Sequence, residues 1–147
     1  MNNKNQKNAM SLFEPNEKKQ ISQLEPNDKN LNLTFILVEK KNPIKLKRDS
    51  IIYPCIVADA SGSIICNFFD EIGEFLKESD IINVVNAYTS LFKNQMSLYP
   101  AKIGIGKTVK VGEFFMTFSI QPNMSTALWT VEKDEKTGMD CYVKETG

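Results

Sequence analysis

The stretch from Ile81 to Tyr99, IINVVNAYTSLFKNQMSLY, limits what this chain can fold into more than any other. It predicts a β-hairpin. Two runs rich in Val, Ile, Leu, Tyr and Phe flank Lys93-Asn94, and asparagine tolerates the positive φ that a tight two-residue turn needs. Such a turn fixes the register. Phe92 falls opposite Gln95, Ser90 opposite Ser97 and Tyr88 opposite Tyr99 on one face, with Leu91 opposite Met96 and Thr89 opposite Leu98 on the other. Because side chains alternate along a strand, Asn86, Tyr88, Ser90, Phe92, Gln95, Ser97 and Tyr99 share a mostly polar face, while Val85, Leu91, Met96 and Leu98 line the face toward the core. One aromatic ring on a sheet is usually ordinary packing. Three on a single polar face, two of them cross-strand partners, form a surface suited to base stacking on single-stranded nucleic acid.

The run before it repeats the pattern. In SIICNFFD, Ser63–Asp70, the apolar face is Ile64, Cys66 and Phe68, and Ser63, Ile65, Asn67 and Phe69 point the other way. A single curved sheet would bring Phe69 onto the aromatic face. Taken in order, residues 1–29 are rich in Asn, Lys, Gln and Glu and predict a disordered N-terminal tail; Leu12-Phe13 and Ile21 to Leu24 offer at most a short docking motif. LNLTFILVE, Leu31–Glu39, is the first strand. A basic loop with Lys40, Lys41, Lys45, Lys47 and Arg48 follows, turning at Asn42-Pro43. The second strand covers Ile51 to Asp59, with Pro54 marking an edge or a bulge. Ala60-Ser61-Gly62 turns into the third strand, and Glu71–Lys77 is a short helix weakened by Gly73. After Pro100, AKIGIGKTVKVGE is ambiguous, and a last strand is expected within Val109–Ile120 through Glu113-Phe114-Phe115-Met116. From Gln121 the pattern fades into a C-terminal tail, residues 124–147, that holds the sole tryptophan, Trp129, either a partner anchor or a group folded back on the domain.

Five short strands with one helix between the third and fourth predict an all-β domain over residues 30–123, a five-stranded OB-fold Greek-key barrel of the kind that binds oligonucleotides. A generic small β-sandwich is the alternative from pattern alone. At 147 residues the chain has room for one domain with a real core.

Composition narrows the chemistry. The formal net charge is zero and histidine is absent, which removes the commonest general base and metal ligand. Cys55, Cys66 and Cys141 form no CxxC and read as small apolar fillers in a reducing compartment, with no disulfide framework and no metal site. The first twenty residues lack the apolar core of a signal peptide and no apolar run approaches a membrane span, so a cytosolic or nuclear protein with no membrane partner is expected. On that expectation the sequon-like Asn32-Leu33-Thr34 and Asn123-Met124-Ser125 carry no glycan. Gly104-Ile105-Gly106-Lys107-Thr108 hints at a phosphate loop, but Ala101 stands where the P-loop needs its first glycine. Asp59, Asp70, Glu71 and Glu74 sit at turns and helix starts, where carboxylates cap backbone amides. No catalysis and no cofactor are expected.

The segments NLNLTFILVE, VADASGSI, FFDEIGEFLKESDII, AYTSLFKNQMSLY and VGEFFMTFSIQPN, in this order and spacing, resemble the SOSS-B family, the simple single-stranded DNA-binding proteins with one OB-fold that belong to the SOSS complex. The resemblance covers Asn30 to Asn123 and implies binding of single-stranded DNA in the DNA damage response, in a nuclear complex built on an Integrator-type scaffold subunit. It maps the family's stacking aromatics onto Phe69, Tyr88, Phe92 and Tyr99, with phenylalanine at 69 where human members carry tryptophan. It maps the scaffold-contacting segment onto Gly112, Glu113 and Phe114. The family's long Pro- and Gly-rich C-terminal tail has no counterpart here, and the Asn-rich N-terminal extension is atypical. Lys45, Lys47, Arg48 and Lys93 are the candidate phosphate contacts, although a solvated hairpin tip accounts equally well for the basic loop. Two other readings stay open: an RNA-binding OB domain on the same face, and a structural OB subunit that mainly docks proteins through Glu113, Phe114 and Trp129.

Overall fold

The computed structural model describes residues 18–102 and 104–145. The strands are β1 (Leu31–Lys40), β2 (Ile44–Lys45), β3 (Ile51–Asp59), β4 (Gly62–Phe69), β5 (Asp80–Phe92), β6 (Gln95–Tyr99), β7 (Lys107–Glu113), β8 (Trp129–Lys133) and β9 (Asp140–Lys144), with one short helix, α1 (Asp70–Phe75), between β4 and β5. Sheet neighbours run β1-β3-β4-β6-β5, and β5 returns to β1, so five strands close a barrel. Closure uses one parallel pairing, Cys66 with Leu98, between β4 and β6. This is the OB-type barrel the sequence predicts.

The hairpin register follows from its turn. Lys93 and Asn94 have φ of 51° and 67°, and Tyr88 pairs with Tyr99, Thr89 with Leu98, Ser90 with Ser97, Leu91 with Met96 and Phe92 with Gln95. Met96 and Leu98 are fully buried and Leu91 packs against the core. Val85 departs from the expected alternation. In the β1–β5 ladder Leu31 pairs with Ala87 and Asn32 with Val85, so Asn86 is an extra residue, and its φ is 64°. This bulge shifts the phase by one. Before it Ile82 and Val84 face inward; after it Ala87 and Thr89 do; Val85 is only half-buried.

Pro54 falls where β3 changes partners. β1 pairs with β3 as far as Lys40–Cys55, β2 takes over at Ile52, and the Pro54 carbonyl accepts from the Lys41 N–H. The missing proline N–H therefore faces an edge where the ladder has already ended. Gly73 does more than weaken α1: it is buried, and a Cβ there would collide with the Tyr53 ring. Lys40 lies over that same ring at 5.0 Å and donates through Nζ to the carbonyls of Leu76 (2.8 Å) and Glu74 (3.2 Å), closing the end of the helix.

Both stretches read as tails contain packed chain. Residues 1–17, with Leu12-Phe13, lie outside the described residues, but Ile21 and Leu24 are buried in the core cluster. The Asp59 carboxylate accepts from the Ile21 N–H at 2.9 Å, and the buried Thr89 accepts from the Asp28 N–H and donates to the Glu25 carbonyl. At the other end, residues 119–125 run along the free edge of β4. The Ser63 N–H donates to the Pro122 carbonyl, the Met124 N–H to the Ser63 carbonyl, and Ser125 Oγ to the Met96 carbonyl. Beyond it β8 and β9 form a separate hairpin. Trp129 folds back onto the barrel: it is buried, its backbone N–H donates to the Asn94 carbonyl at 2.9 Å, and Asn94 Nδ2 donates to its carbonyl at 2.8 Å. The last sheet strand also differs from expectation. β7 starts inside the Gly-rich stretch and stops at Glu113, because Phe114, at φ 68°, leaves the strand conformation.

Cys55 and Cys66 are buried and stand opposite each other across β3 and β4; Cys141 is exposed on β9 and fills no core. Burial pushes the Cys55 thiol up to about 11, with nearby Lys40 opposing, and pushes Cys66 well above the usual range. A native thiol titration is therefore expected to modify Cys141 quickly and the other cysteines only on unfolding; fast modification of all of them would contradict the packing. Gly73→Ala is expected to lower unfolding stability by about 1–3 kcal/mol in denaturant titration, because the Tyr53 ring must move.

Candidate nucleic-acid interface

The aromatic face is assembled by two ladders. The hairpin register puts Tyr88 and Tyr99 side by side, with ring centroids 5.4 Å apart and planes 15° from parallel, a stacked pair. Ser90 and Ser97 come next along the hairpin, and Phe92, 65% exposed, stands at its tip. Tyr88 and Phe92 are four residues apart, roughly 13 Å at the usual rise of a strand. The parallel Cys66–Leu98 pairing sets the end of β4 beside the end of β6, which brings Phe69, half-buried, to the same side as Tyr88. Phe69 and Tyr88 line one open cleft of about 1430 Å³.

Lys93 Nζ lies 5.4 Å from the centroid of Phe92, so the hairpin tip carries a ring and a cation together. Lys45 sits on β2 opposite Ile51; Lys47 and Arg48 belong to a short 3-10 turn, and all three are exposed. This basic segment borders the cleft through Asp49 and Ser50, which line it, whereas Lys45, Lys47 and Arg48 do not. The cations that do line it are Lys29, Lys102 and Lys107. Of these the sequence draws attention only to Lys107, within the rejected phosphate-loop pattern. Lys29 lies in a stretch that reads as tail, and the other two lie in the Gly-rich connection.

Of the four carboxylates weighed as catalytic groups, Asp59 and Asp70 are engaged with neighbouring backbone and hydroxyl groups. Asp59 accepts from Ile21 and Ser61, and Asp70 accepts from the Ile51 N–H at 2.8 Å and from Ser50 Oγ. Among the described residues no group of three or more His, Cys, Asp or Glu comes close enough to hold a metal ion.

At the start of β5, away from the hairpin turn, β7 pairs Asp80 with Glu113 and Ile81 with Gly112. Lys110 Nζ bridges Asp80 at 3.1 Å and Glu113 at 3.0 Å. The chain then turns outward, leaving Phe114 64% and Phe115 92% exposed beside the exposed Val111. Gly112, Glu113 and Phe114 thus fall in a segment whose apolar side chains are exposed, and none of the three lines the cleft.

The fold is similar to that of a hypothetical protein from Arabidopsis thaliana, at 21% identity over 74% of this chain and 82% of that one, with a TM-score of 0.62. It is also similar to the replication factor A related protein from Methanobacterium thermoautotrophicum, at 17% identity over 63% of this chain and 91% of that one, with a TM-score of 0.51. A domain of replication protein A from Methanococcus maripaludis is similar at 20% identity over 65% of this chain and 96% of that one, with a TM-score of 0.50. At these identities the likeness concerns the fold. The family model for single-stranded DNA binding protein Ssb-like, OB fold, matches residues 24–108, more than half of the sequence, and the chain belongs to that family.

Proposed function

We propose that this protein binds single-stranded DNA by stacking bases on Phe69, Tyr88, Phe92 and Tyr99, and that it has no reaction of its own. The observation that carries the reading is the stacked Tyr88–Tyr99 pair, set on a sheet face between the exposed Phe92 and the cleft-lining Phe69. Rings presented along an open sheet accept bases with little sequence preference, since every base has a π face. Membership in the Ssb-like family supports the same conclusion. With zero net charge, long-range attraction to nucleic acid is modest and the affinity rests on stacking together with local cations.

The finer reading is a nuclear component of a SOSS-like complex, acting in the DNA damage response and double-strand break repair. It follows the sequence resemblance to the SOSS-B family. It is supported by the exposed Phe114 and Phe115, an apolar surface suited to an Integrator-type scaffold subunit at Gly112, Glu113 and Phe114. That same patch favours a second reading, an OB subunit that mainly docks proteins. RNA would use the same aromatic face, and matched DNA and RNA oligonucleotides distinguish the two.

In fluorescence-anisotropy titrations of labelled oligo-dT, Tyr88→Ala/Phe92→Ala is expected to lose about 1–3 kcal/mol of binding per ring. Binding that survives the double substitution unchanged sinks the stacking mechanism; no binding by the wild type moves the protein to the docking class. Phe114→Asp is expected to abolish co-purification with the scaffold subunit while leaving the oligo-dT affinity within about twofold; loss of DNA binding instead would show that the patch serves the barrel itself.

A further inference from the structure

We infer that the connection between β6 and β7, together with Lys29 just before β1, forms a rim of the DNA site, which holds the phosphates of the bound strand on Lys29, Lys102 and Lys107, and that Asn86 is the positioning residue that fixes the connection. The inference rests on the proposed stacking at Phe69 and Tyr88. Lysines from two separate parts of the chain, Lys29 and the pair Lys102 and Lys107, converge on one cleft with those two rings. Lys29 lies two residues before β1 begins at Leu31, and its neighbour Asp28 is anchored both ways to Thr89: the Asp28 N–H donates to Thr89 Oγ1, and the Thr89 N–H donates to the Asp28 carbonyl. Lys107 opens β7 opposite Val85. Among the described residues none of the three lysines is in an ion pair.

The cleft is polarised. Asp49, Asp70 and Glu71 line it as well, and they belong to the turn before β3 and to α1. Phosphates are repelled from these carboxylates and drawn to the lysines, so the backbone of the strand runs along the β6–β7 connection and its bases point toward Phe69. The charge arrangement orients the strand as well as attracting it.

The described residues of the connection are tied to one another and to β5. The N–H groups of Ile105 and Gly106 both donate to the Lys102 carbonyl, at 3.0 and 2.9 Å. A Cβ on Gly106 would come within 2.7 Å of the Val85 carbonyl oxygen and meet the Ala101 side chain, so the connection lies directly on β5. Asn86 Nδ2 donates to the Ile105 carbonyl at 2.7 Å. The bulge therefore does two things at once. Its left-handed backbone suits asparagine, and it turns the amide side chain toward the connection. Ile105, 66% exposed, is thereby held at the mouth of the cleft that Tyr88 also lines.

The test is an oligo-dT anisotropy series over salt concentration with the full chain. Each phosphate neutralised on a single strand contributes about 0.7 to the slope of log K against log salt, so Lys29→Ala/Lys102→Ala/Lys107→Ala is expected to make the slope shallower by about 2. Lys45→Ala/Lys47→Ala/Arg48→Ala is expected to change it by less than half as much. Asn86→Gly keeps the backbone conformation and removes the amide; it is expected to weaken binding several-fold with an unchanged melting temperature. An unchanged slope in the cleft-lysine variant, or the larger change in the β2 variant, overturns the phosphate rim. Wild-type affinity in Asn86→Gly overturns the positioning role. In either case an intact loss of binding in Tyr88→Ala/Phe92→Ala leaves the stacking reading standing, whereas no wild-type binding overturns both.

Discussion

The Lys93-Asn94 turn is the constraint on which the rest of the binding face depends. Two residues with positive φ match the twist of the strands they join and allow only one register. That register sets Tyr88 against Tyr99 and leaves Phe92 free at the tip. A slip of one residue would send the rings into the barrel and Met96 and Leu98 into solvent, forfeiting the burial of several apolar side chains. The turn is also secured from outside, since Asn94 exchanges two hydrogen bonds with the backbone of Trp129. The C-terminal hairpin thus buttresses the element that carries the aromatic face.

The barrel has a single parallel seam, and the chain termini reinforce the strands on either side of it. Only Cys66 with Leu98 joins β4 to β6, and Pro122, Met124 and Ser125 form hydrogen bonds with Ser63 and Ile65 of β4. The N-terminal strap covers another part of the core through Ile21 and Leu24, with Asp59 and Thr89 satisfying its backbone. Buried amides that find a partner only in a distant side chain tie these segments firmly to the barrel, because breaking one leaves an unpaired donor.

Local chemistry was legible in the sequence and distant chemistry was not. The hairpin register, the short helix after Phe69 and the outward direction of Phe69 follow from turn residues and alternation within a few positions. The packing of Ile21 depends on a carboxylate 38 residues away, and composition alone made that segment a tail. The Gly-rich connection becomes β7 because β5 offers it a free edge, a fact no local window contains. The bulge at Asn86 hid for a related reason. A lone Asn in an apolar run looks like an outward-facing strand residue, and only the ladder with β1 reveals that Val85 and Asn86 share one place in the pairing. Lys29 and Lys102 were missed, and Lys107 was weighed only as part of a phosphate loop, because the cleft they line is made by tertiary contacts.

The tyrosine stack has an entropic consequence. Each ring of the Tyr88–Tyr99 pair already has the other against one of its faces, so the torsions that a base would otherwise have to freeze are settled when the barrel folds. Ordering an interface side chain on association ordinarily costs about 0.5–1.5 kcal/mol, and a ring immobilised beforehand avoids most of that loss. Phe92, largely exposed and with only Lys93 over its ring, has no such advantage. The two ends of one hairpin therefore differ in kind: a preorganised platform that a base can meet as a rigid surface, and an exposed ring without an aromatic neighbour to fix it beforehand.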